Sequence, residues 1–246
     1  MSTCSRMIVL FTDFGWQGPY VGQMKAVLKS SAPDVPVIDL MHDVPAFDAV
    51  AAAYLLAALV PQFPLDSIFV AVVDPGVGEP ARRPYMVQVD GRWFVGPDNG
   101  LFNVIEARGS DVQRYEILWR PATLSTSFHG RDLFAPVAAM LSQWNMPDNN
   151  LLAQRELSIN NDLYQVIYID HFGNAMTGIQ ATSISTDKII SINGQALHFA
   201  ETFSYAPEGQ PFWYFNSCNL VELAVNKGNA SKTLSLEIGD TVDIID

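Results

Sequence analysis

Positive charge is scarce in this chain. Its 246 residues include 14 lysines and arginines against 26 aspartates and glutamates, which gives a formal net charge of −12. No run of basic residues interrupts this excess of negative charge. Proteins that bind the phosphate backbone of a nucleic acid need clustered Lys and Arg. The composition therefore predicts no nucleic-acid partner and favours a neutral or cationic small molecule as the ligand.

Cysteine and histidine are also rare. The two cysteines, Cys4 and Cys218, have no metal-binding spacing, and we expect both to be free thiols in a reducing compartment. The four histidines, at positions 42, 129, 171 and 198, include no pair at helical ligand spacing. Because a catalytic metal site usually uses two or three histidines, the sequence predicts no metal.

Long apolar runs are missing as well. The hydrophobic fraction of 49% is enough for a substantial core, but proline and glycine break every stretch before it could span a bilayer. The first residues, MSTCSRMIVLFTDFG, lack a signal-peptide layout because the short apolar run meets Asp13 at once. We therefore expect a cytoplasmic protein without a membrane partner.

Several familiar catalytic patterns are absent. No GxGxxG follows the first predicted strand, and there is no P-loop lysine. GxSxG is missing, which argues against a serine nucleophile on a sharp strand-to-helix turn. HExxH, which places two zinc-binding histidines on one helix face, is missing too.

What the chain does contain is a central apolar stretch, Phe69 to Gly78, that reads FVAVVDPGVG. Its first five residues form a continuous apolar run, which predicts a buried parallel strand. The run stops at Asp74, and the proline and glycines after it favour tight turns. The pattern therefore places a carboxylate at the carboxyl end of a central strand, where open α/β sheets bind their ligands.

The order of predicted elements indicates two domains. Strands at 8–11, 37–40 and 68–73 alternate with helices at 21–31 and 49–59, which favours an α/β amino-terminal domain with a mostly parallel central sheet over residues 1–150. After a turn-rich boundary, short alternating runs favour an all-β, barrel-like carboxy-terminal domain over residues 160–246. Residues 234–237 are among its predicted strands, and Asp132 is the predicted N-cap of a helix over 133–144.

Nine stretches of the sequence, in order from about residue 7 to 235, resemble the S-adenosyl-L-methionine (SAM) hydrolases that form adenosine. This family is related to the enzymes that attach fluoride or chloride to the adenosyl group. The resemblance implies a homotrimer whose substrate lies between the first domain of one subunit and the second domain of its neighbour. It implies no metal and no cofactor. The stretches are FTDFG, GPYVGQMKAVL, VIDLMHDVP, AAYLL, FVAVVDPGVG, FVGPDNGLF, SFHGRDLFAPVAA, IDHFGNAMT and NSCNLVELAVNKGNAS.

The resemblance implies three catalytic residues, Asp74, Arg82 and His129, around the attacking water. Arg83 is an alternative to Arg82, because DPGVGEPARRP carries one residue more than the family pattern between the aspartate and the arginine. His129 matters for the choice between relatives, since halide-using members lack the histidine of FHGRD.

The same resemblance assigns the sugar and amino-acid parts of the substrate. Asp13 resembles the carboxylate that accepts hydrogen bonds from both ribose hydroxyls. Asp170 and Glu222 are expected to meet the methionine ammonium, and Ser217 its carboxylate. At the next position halide-using relatives have an arginine and this chain has Cys218, which leaves open how the carboxylate is held.

Aromatic and amide side chains are expected at the adenine. Phe172 or Trp213 would stack on the base, whereas Asn174 and Asn226 would read its edge, since an amide offers both a donor and an acceptor. The expected reaction is hydrolysis of SAM to adenosine and L-methionine. The alternatives are a halide-dependent, chlorinase-like adenosyl transferase and a non-catalytic sensor of adenosyl compounds.

Overall fold

The structure is a computed structural model that describes residues 6–79 and 82–245. The chain forms two compact units, one from the residues up to 53 together with 61–158, the other from residues 54–60 and those from 159 onward. Cys4 lies outside the described residues, whereas Cys218 is a free thiol. Within the two described ranges, no helix has the length and apolar character needed to cross a membrane.

The first unit is built on a seven-stranded mixed sheet in the order β2-β1-β3-β5-β4-β6-β7. The β1–β2, β1–β3 and β3–β5 pairs are parallel, and the other pairs are antiparallel. The prediction of a mostly parallel sheet is therefore wrong for the part of the sheet from β5 to β7. Asp90 and Gly91, both with positive φ, close a tight hairpin that makes β4 antiparallel to β5. The strands are β1 (Ile8–Thr12), β2 (Val37–Met41), β3 (Ile68–Val72), β4 (Pro84–Val89), β5 (Arg92–Pro97), β6 (Val112–Ile117) and β7 (Asn149–Leu151).

Four α-helices accompany this sheet along the chain: α1 (Tyr20–Ser31), α2 (Ala49–Leu59), α3 (Asn103–Arg108) and α4 (Ala135–Ser142). Strands β1 and β3 are buried at every residue, which explains their unbroken apolar sequences. Met24 and Leu28 of α1 join residues of α4 and of both strands in one core cluster. Packing against α1 and α4 therefore helps to hold β1 and β3 in place.

A wide helical turn over Gly130–Phe134 leads into α4. The backbone N–H of Ala135 donates to the carbonyl of Gly130, five residues earlier, which defines a π-turn. The predicted N-cap role of Asp132 is wrong, because this residue lies inside the turn. Its carboxylate instead accepts from the Ser125 N–H at 2.9 Å and from Arg131 at 2.5 and 2.9 Å. The hydrogen bond from Arg131 holds the pKa of Asp132 below its usual range.

A buried ion network joins α3 to the sheet. Glu106 accepts from the Tyr85 hydroxyl at 2.9 Å and from Arg155 at 3.1 Å, and Arg114 Nε lies 3.0 Å from its second oxygen. Arg114 also donates to the Tyr85 hydroxyl at 2.6 Å. Burial raises the pKa of Glu106 even with both arginines close by. The carboxylate therefore depends on these cations for its charge.

Arg114→Met is expected to lower the free energy of unfolding of the first unit by about 3 kcal/mol. The change removes a buried cation and leaves the nearly inaccessible Glu106 carboxylate short of a partner. Urea denaturation followed by circular dichroism measures the effect. The exposed Lys29→Met serves as the matched control, with an expected change below about 0.5 kcal/mol. Equal stability of the two variants would show that the network contributes nothing.

Apart from residues 54–60, which include the second half of α2, the described part of the second unit consists of strands, short helical turns and loops. Its two sheets are antiparallel, in the orders β12-β13-β9-β8 and β11-β10-β14. The described residues form no closed barrel. Of the prediction of an all-β, barrel-like domain, the antiparallel β-sheets are therefore confirmed and the barrel is not. Its elements are β8 (Leu163–Ile169), β9 (Ala175–Gln180), β10 (Ile189–Ile192), β11 (Gln195–Leu197), β12 (Pro211–Phe215), β13 (Leu220–Val225), α5 (Ala230–Thr233) and β14 (Asp243–Ile245).

The strand predicted over residues 234–237 is wrong. The chain forms the short helix α5 just before it, and Leu234 is the C-cap of that helix. The Asn229 side chain caps α5 by accepting from the Lys232 N–H at 2.8 Å. A side-chain cap thus overrides the alternating apolar pattern that favours a strand.

Candidate active site

Asp74 lies just beyond the carboxyl end of β3, between its neighbours β1 and β5. Its side chain is only 5% exposed. The Asn99 side-chain amide donates to the carbonyl of Val73 at 2.7 Å and thereby fixes the backbone immediately before Asp74. The strand end and its anchoring loop therefore present the carboxylate in a defined direction.

Arg82 donates a hydrogen bond to Asp74 and forms an ion pair with it. The Arg82 guanidinium lies directly against Gly76. A Cβ atom added at Gly76 would be only 2.6–2.8 Å from the guanidinium atoms, so a glycine is needed here. Arg83 also faces a cavity beside Asp74, and its carbonyl accepts from the Asp98 N–H at 3.1 Å. Of the two candidate arginines, Arg82 is the one paired with the carboxylate.

Gly76→Ala is expected to lower turnover about tenfold by displacing the Arg82 guanidinium from Asp74. The reason is steric, because the new methyl group needs the space that the guanidinium occupies. Steady-state kinetics on purified protein measures the effect. Gly22→Ala on α1 is the control, since a Cβ there meets nothing within 4 Å. Unchanged turnover in the Gly76 variant would mean that the position of Arg82 is not critical.

His129 lies half-buried at the start of the π-turn and borders two cavities together with Asp74. The first, called here the aromatic cavity, has a volume of about 400 Å³. It is lined by Phe14, Tyr20, Gln23, Val72, Asp74, Val77, Ser125, Ser127, Phe128, His129, Gly130, Arg131 and Phe134. The second, called here the basic cavity, has a volume of about 240 Å³. Its lining is Asp74, Gly78, Glu79, Arg82, Arg83, Pro84, Pro97, Arg120, Leu124, Ser125, Thr126, His129, Leu133 and Phe134.

Three rings form the wall of the aromatic cavity. Phe128 lies edge-on to Tyr20 and Phe14, with centroid separations of 5.2 and 5.7 Å, and Phe14 lies 5.8 Å from Tyr20. Such mutually packed rings keep an apolar surface in place. The cavity beside Asp74 therefore has an apolar wall, which disfavours bulk water there.

Asp13 lies at the end of β1, one strand away from Asp74. Its carboxylate accepts from the Phe47 backbone N–H at 3.2 Å. Burial raises the pKa of Asp13 above its ordinary value, and the nearby Asp74 adds to the rise. The loop around it is supported by His42, which contacts the Thr12 hydroxyl at 2.8 Å. Asp13 is thus a partly buried carboxylate with accepting capacity left for a ligand.

The second unit has a cavity of its own, with a volume of about 820 Å³. It brings together six of the seven residues that the sequence predicts as substrate-binding in this unit. They are Asp170, Phe172, Asn174, Ser217, Glu222 and Asn226.

Both carboxylates of this cavity are held by short hydrogen bonds. Asp170 accepts from the backbone and side-chain amides of Asn174 at 2.8 and 3.0 Å. Glu222, only 2% exposed, accepts from Tyr214 at 2.5 Å and from Asn216 at 2.7 Å. Burial raises the pKa of Glu222. Tyr214 and Asn216 line this cavity too, and the sequence assignment missed both. No pattern in PFWYF singles out Tyr214.

Trp213 has no exposed surface. Its ring packs on Phe199 and Phe215, with centroid separations of 4.9 and 5.5 Å, and its indole N–H donates to the carbonyl of Lys188 at 3.3 Å. The suggestion that Trp213 stacks on adenine is therefore wrong, because core side chains cover the ring. Three aromatic residues line this cavity, Phe172, Phe203 and Tyr214, and Phe172, which is 72% exposed, is the most accessible of them for stacking on a base.

Comparison with known proteins relates both units to a single family. The SAM hydroxide adenosyltransferase N-terminal domain matches residues 8–150, and the C-terminal domain of that family matches residues 164–243. A Thermus thermophilus protein named (R)-S-adenosyl-L-methionine hydrolase is 37% identical, over 98% of this chain and 100% of its own length. A Methanocaldococcus jannaschii protein of the same name is 33% identical, over 97% and 95%.

A more distant relative and a solved structure also match this chain over nearly its whole length. A protein from Actinopolyspora mzabensis named fluorinase is 25% identical over 98% of this chain and 97% of its own. The crystal structure of an uncharacterized conserved protein from Thermotoga maritima superposes with a TM-score of 0.87 at 31% identity, and it covers 97% of this chain and 100% of that one.

Proposed function

Because the chain belongs to the SAM hydroxide adenosyltransferase family, we propose that it hydrolyses S-adenosyl-L-methionine to adenosine and L-methionine. The water oxygen forms a bond to ribose C5′, the bond between C5′ and the sulfonium sulfur breaks, and its electron pair stays on the sulfur of methionine. A sulfonium is already a good leaving group. The reaction therefore needs no metal, no cofactor and no acid at the leaving sulfur.

One observation carries this proposal: the Asp74 carboxylate, paired with Arg82, shares its cavities with His129. Free water is far too weak an acid for a side chain simply to deprotonate it near neutral pH. Asp74 and His129 instead orient the water and accept its proton as the bond to carbon forms. Arg82 holds Asp74 in place and favours hydroxide character in the attacking oxygen.

The substrate is divided between the two kinds of cavity. The aromatic cavity takes the ribose C5′ and keeps bulk water away from it, while Asp13 accepts hydrogen bonds from the ribose hydroxyls. The cavity of the second unit takes the two ends of the molecule. There Phe172 stacks on adenine, and Asp170 with Glu222 forms the acidic side that suits the methionine ammonium.

The resemblance to the family also supports a homotrimer. In this proposal the second unit of one subunit completes the substrate site of the first unit of its neighbour. Size-exclusion chromatography with light scattering should give a mass of about 81 kDa, three times the 27.1 kDa of the chain. A monomer that still turns over SAM would contradict the shared site.

The deciding experiment is chromatography of the products formed from SAM by the purified protein, with and without chloride. The (R) and (S) sulfonium epimers are supplied separately, and faster reaction of the (R) epimer is expected from the names of the relatives. Equal amounts of adenosine and methionine, independent of chloride, would support hydrolysis. Chloride-dependent 5′-chloro-5′-deoxyadenosine would indicate a halide-dependent transferase, and bound but unchanged SAM would indicate a sensor.

A further inference from the structure

The basic and aromatic cavities meet at one wall. Four residues line both of them: Asp74, Ser125, His129 and Phe134. Two of these, Asp74 and His129, are the groups proposed to handle the nucleophile. A molecule in either cavity can therefore reach the same two side chains.

The basic cavity differs from the protein as a whole in its charge. Three arginines line it, Arg82, Arg83 and Arg120, against two acidic residues, Asp74 and Glu79. This local excess of positive charge occurs in a chain with a net charge of −12. Arg120 is held in place by donating to the carbonyls of Ile117 and Trp119 at 2.6 and 2.9 Å.

The aromatic cavity is lined by one cation, Arg131, and that cation is engaged elsewhere. Arg131 donates twice to Asp132, at 2.5 and 2.9 Å, and to the side chain of Gln23 at 2.7 Å. The remaining surface is mainly aromatic and aliphatic. A sulfonium cation is thus repelled less in the aromatic cavity than in the basic one.

We propose that the basic cavity is the entry compartment for the nucleophilic water, separate from the aromatic cavity that takes the ribose C5′. This inference rests on the proposed hydrolysis of SAM. An in-line displacement needs the nucleophile on the side of C5′ opposite the leaving sulfur. A substrate that fills the aromatic cavity closes that route to water, so the water is supplied through the wall formed by Asp74 and His129. The guanidinium groups favour an oxygen with hydroxide character and disfavour the cationic substrate.

Two adjacent exposed residues allow the cavities to be blocked separately. Thr126 lines the basic cavity, and Ser127 lines the aromatic cavity. Gly78, with φ of +87°, brings the neighbouring loop so close that a Cβ there would lie 2.7 Å from the Thr126 carbonyl oxygen. The backbone at position 126 is therefore held close to the loop at Gly78, beside the basic cavity.

Thr126→Trp is expected to lower kcat at least ~10-fold, with KM and the dissociation constant for SAM within about twofold of the wild-type values. Ser127→Trp is expected to raise KM at least ~5-fold with a smaller effect on kcat. Thr123→Trp is the control, since Thr123 is exposed in the same loop and lines neither cavity. Its kinetics should match those of the wild type.

Calorimetric titration with SAM and thermal melting verify that each variant is folded, and Thr126→Phe gives a smaller block if the tryptophan variant does not fold. A kcat within about twofold of wild type in a folded, active Thr126 variant would overturn the separate entry route alone. A raised KM in that variant, as in Ser127→Trp, would do the same. A wild-type protein that binds SAM without forming adenosine would overturn the proposed hydrolysis and this inference together.

Discussion

Asp74→Asn is expected to lower kcat for SAM hydrolysis by about 10³-fold while the dissociation constant for SAM changes by less than about fivefold. Asparagine has nearly the same shape and can still accept a hydrogen bond from Arg82. It cannot take a proton from water, and it does not attract the positive charge that develops on the attacking oxygen. The loss is therefore confined to the chemical step, within the range of rate that a positioned base contributes.

Single-turnover kinetics and calorimetric binding of SAM measure the two quantities independently. Asp90→Asn is the matched control, because the same isosteric change is made in a hairpin turn where asparagine fits the positive φ. Its kcat should equal that of the wild type. If Asp74→Asn weakens binding and keeps its maximal rate, the carboxylate binds the substrate and does not act on the nucleophile.

Asp13→Asn is expected to lower kcat/KM about 10²-fold, mainly through a higher KM. Hydrogen bonds from hydroxyl groups to a carboxylate contribute about 1.5–3 kcal/mol, and the amide replaces one of the two acceptor oxygens by a donor. The Asp13 variant should thus mainly raise KM, whereas the Asp74 variant should mainly lower kcat, because the Asp13 change weakens ribose binding and does not affect the nucleophile. A variant that loses kcat and keeps its KM would contradict the assignment.

The pH dependence provides a second test of Asp13. Burial raises its pKa above the ordinary 3.8, and only the ionised form accepts from both ribose hydroxyls. In the wild type, kcat/KM should therefore fall as the pH drops through this raised pKa, and the Asn variant should lack that decrease. The folded chain also holds the Asp13 proton to higher pH than the unfolded chain. The free energy of unfolding therefore decreases as the pH rises from 3.8 through the folded-state pKa of Asp13. The Asn variant should not show this decrease.

Local sequence determines much of the first unit. The helix predicted over 49–59 has the observed bounds of α2, because nine of its eleven residues are alanine or leucine, which favour helix. The continuous apolar runs identify β1 and β3, and hence the ends where Asp13 and Asp74 lie. The strand order of the sheet depends on contacts between distant segments. The sequence at Asp90 and Gly91 favours a tight turn between β4 and β5, but it does not reveal that β5 also pairs with β3 and β4 with β6.

The second unit shows why the site was only partly predictable. Trp213 and Tyr214 are adjacent aromatic residues, and the sequence gives no sign of which faces the core. The antiparallel pairing with β13 settles it, because Trp213 lies opposite Leu223 and Tyr214 lies opposite Glu222. Strand β9 was not predicted since it contains Gly178, whose missing side chain admits the backbone of Leu163.

The choice between neighbouring arginines has a similar cause. Arg82 and Arg83 are equivalent in sequence, and both border the basic cavity. Only the fold of the loop determines which guanidinium meets Asp74. Gly76 is the local residue that permits the approach, but its steric role depends on where the loop brings Arg82.

The π-turn before α4 makes the direction of His129 depend on chain length. A π-turn contains one residue more than an α-turn, and one residue corresponds to a rotation of about 100° around a helix axis. Helix α4 is locked in the core, so any gain or loss of a residue in the turn is taken up on the side of His129. A single-residue insertion or deletion in this turn would therefore change the direction of the side chain at position 129 and leave the packing of the helix intact.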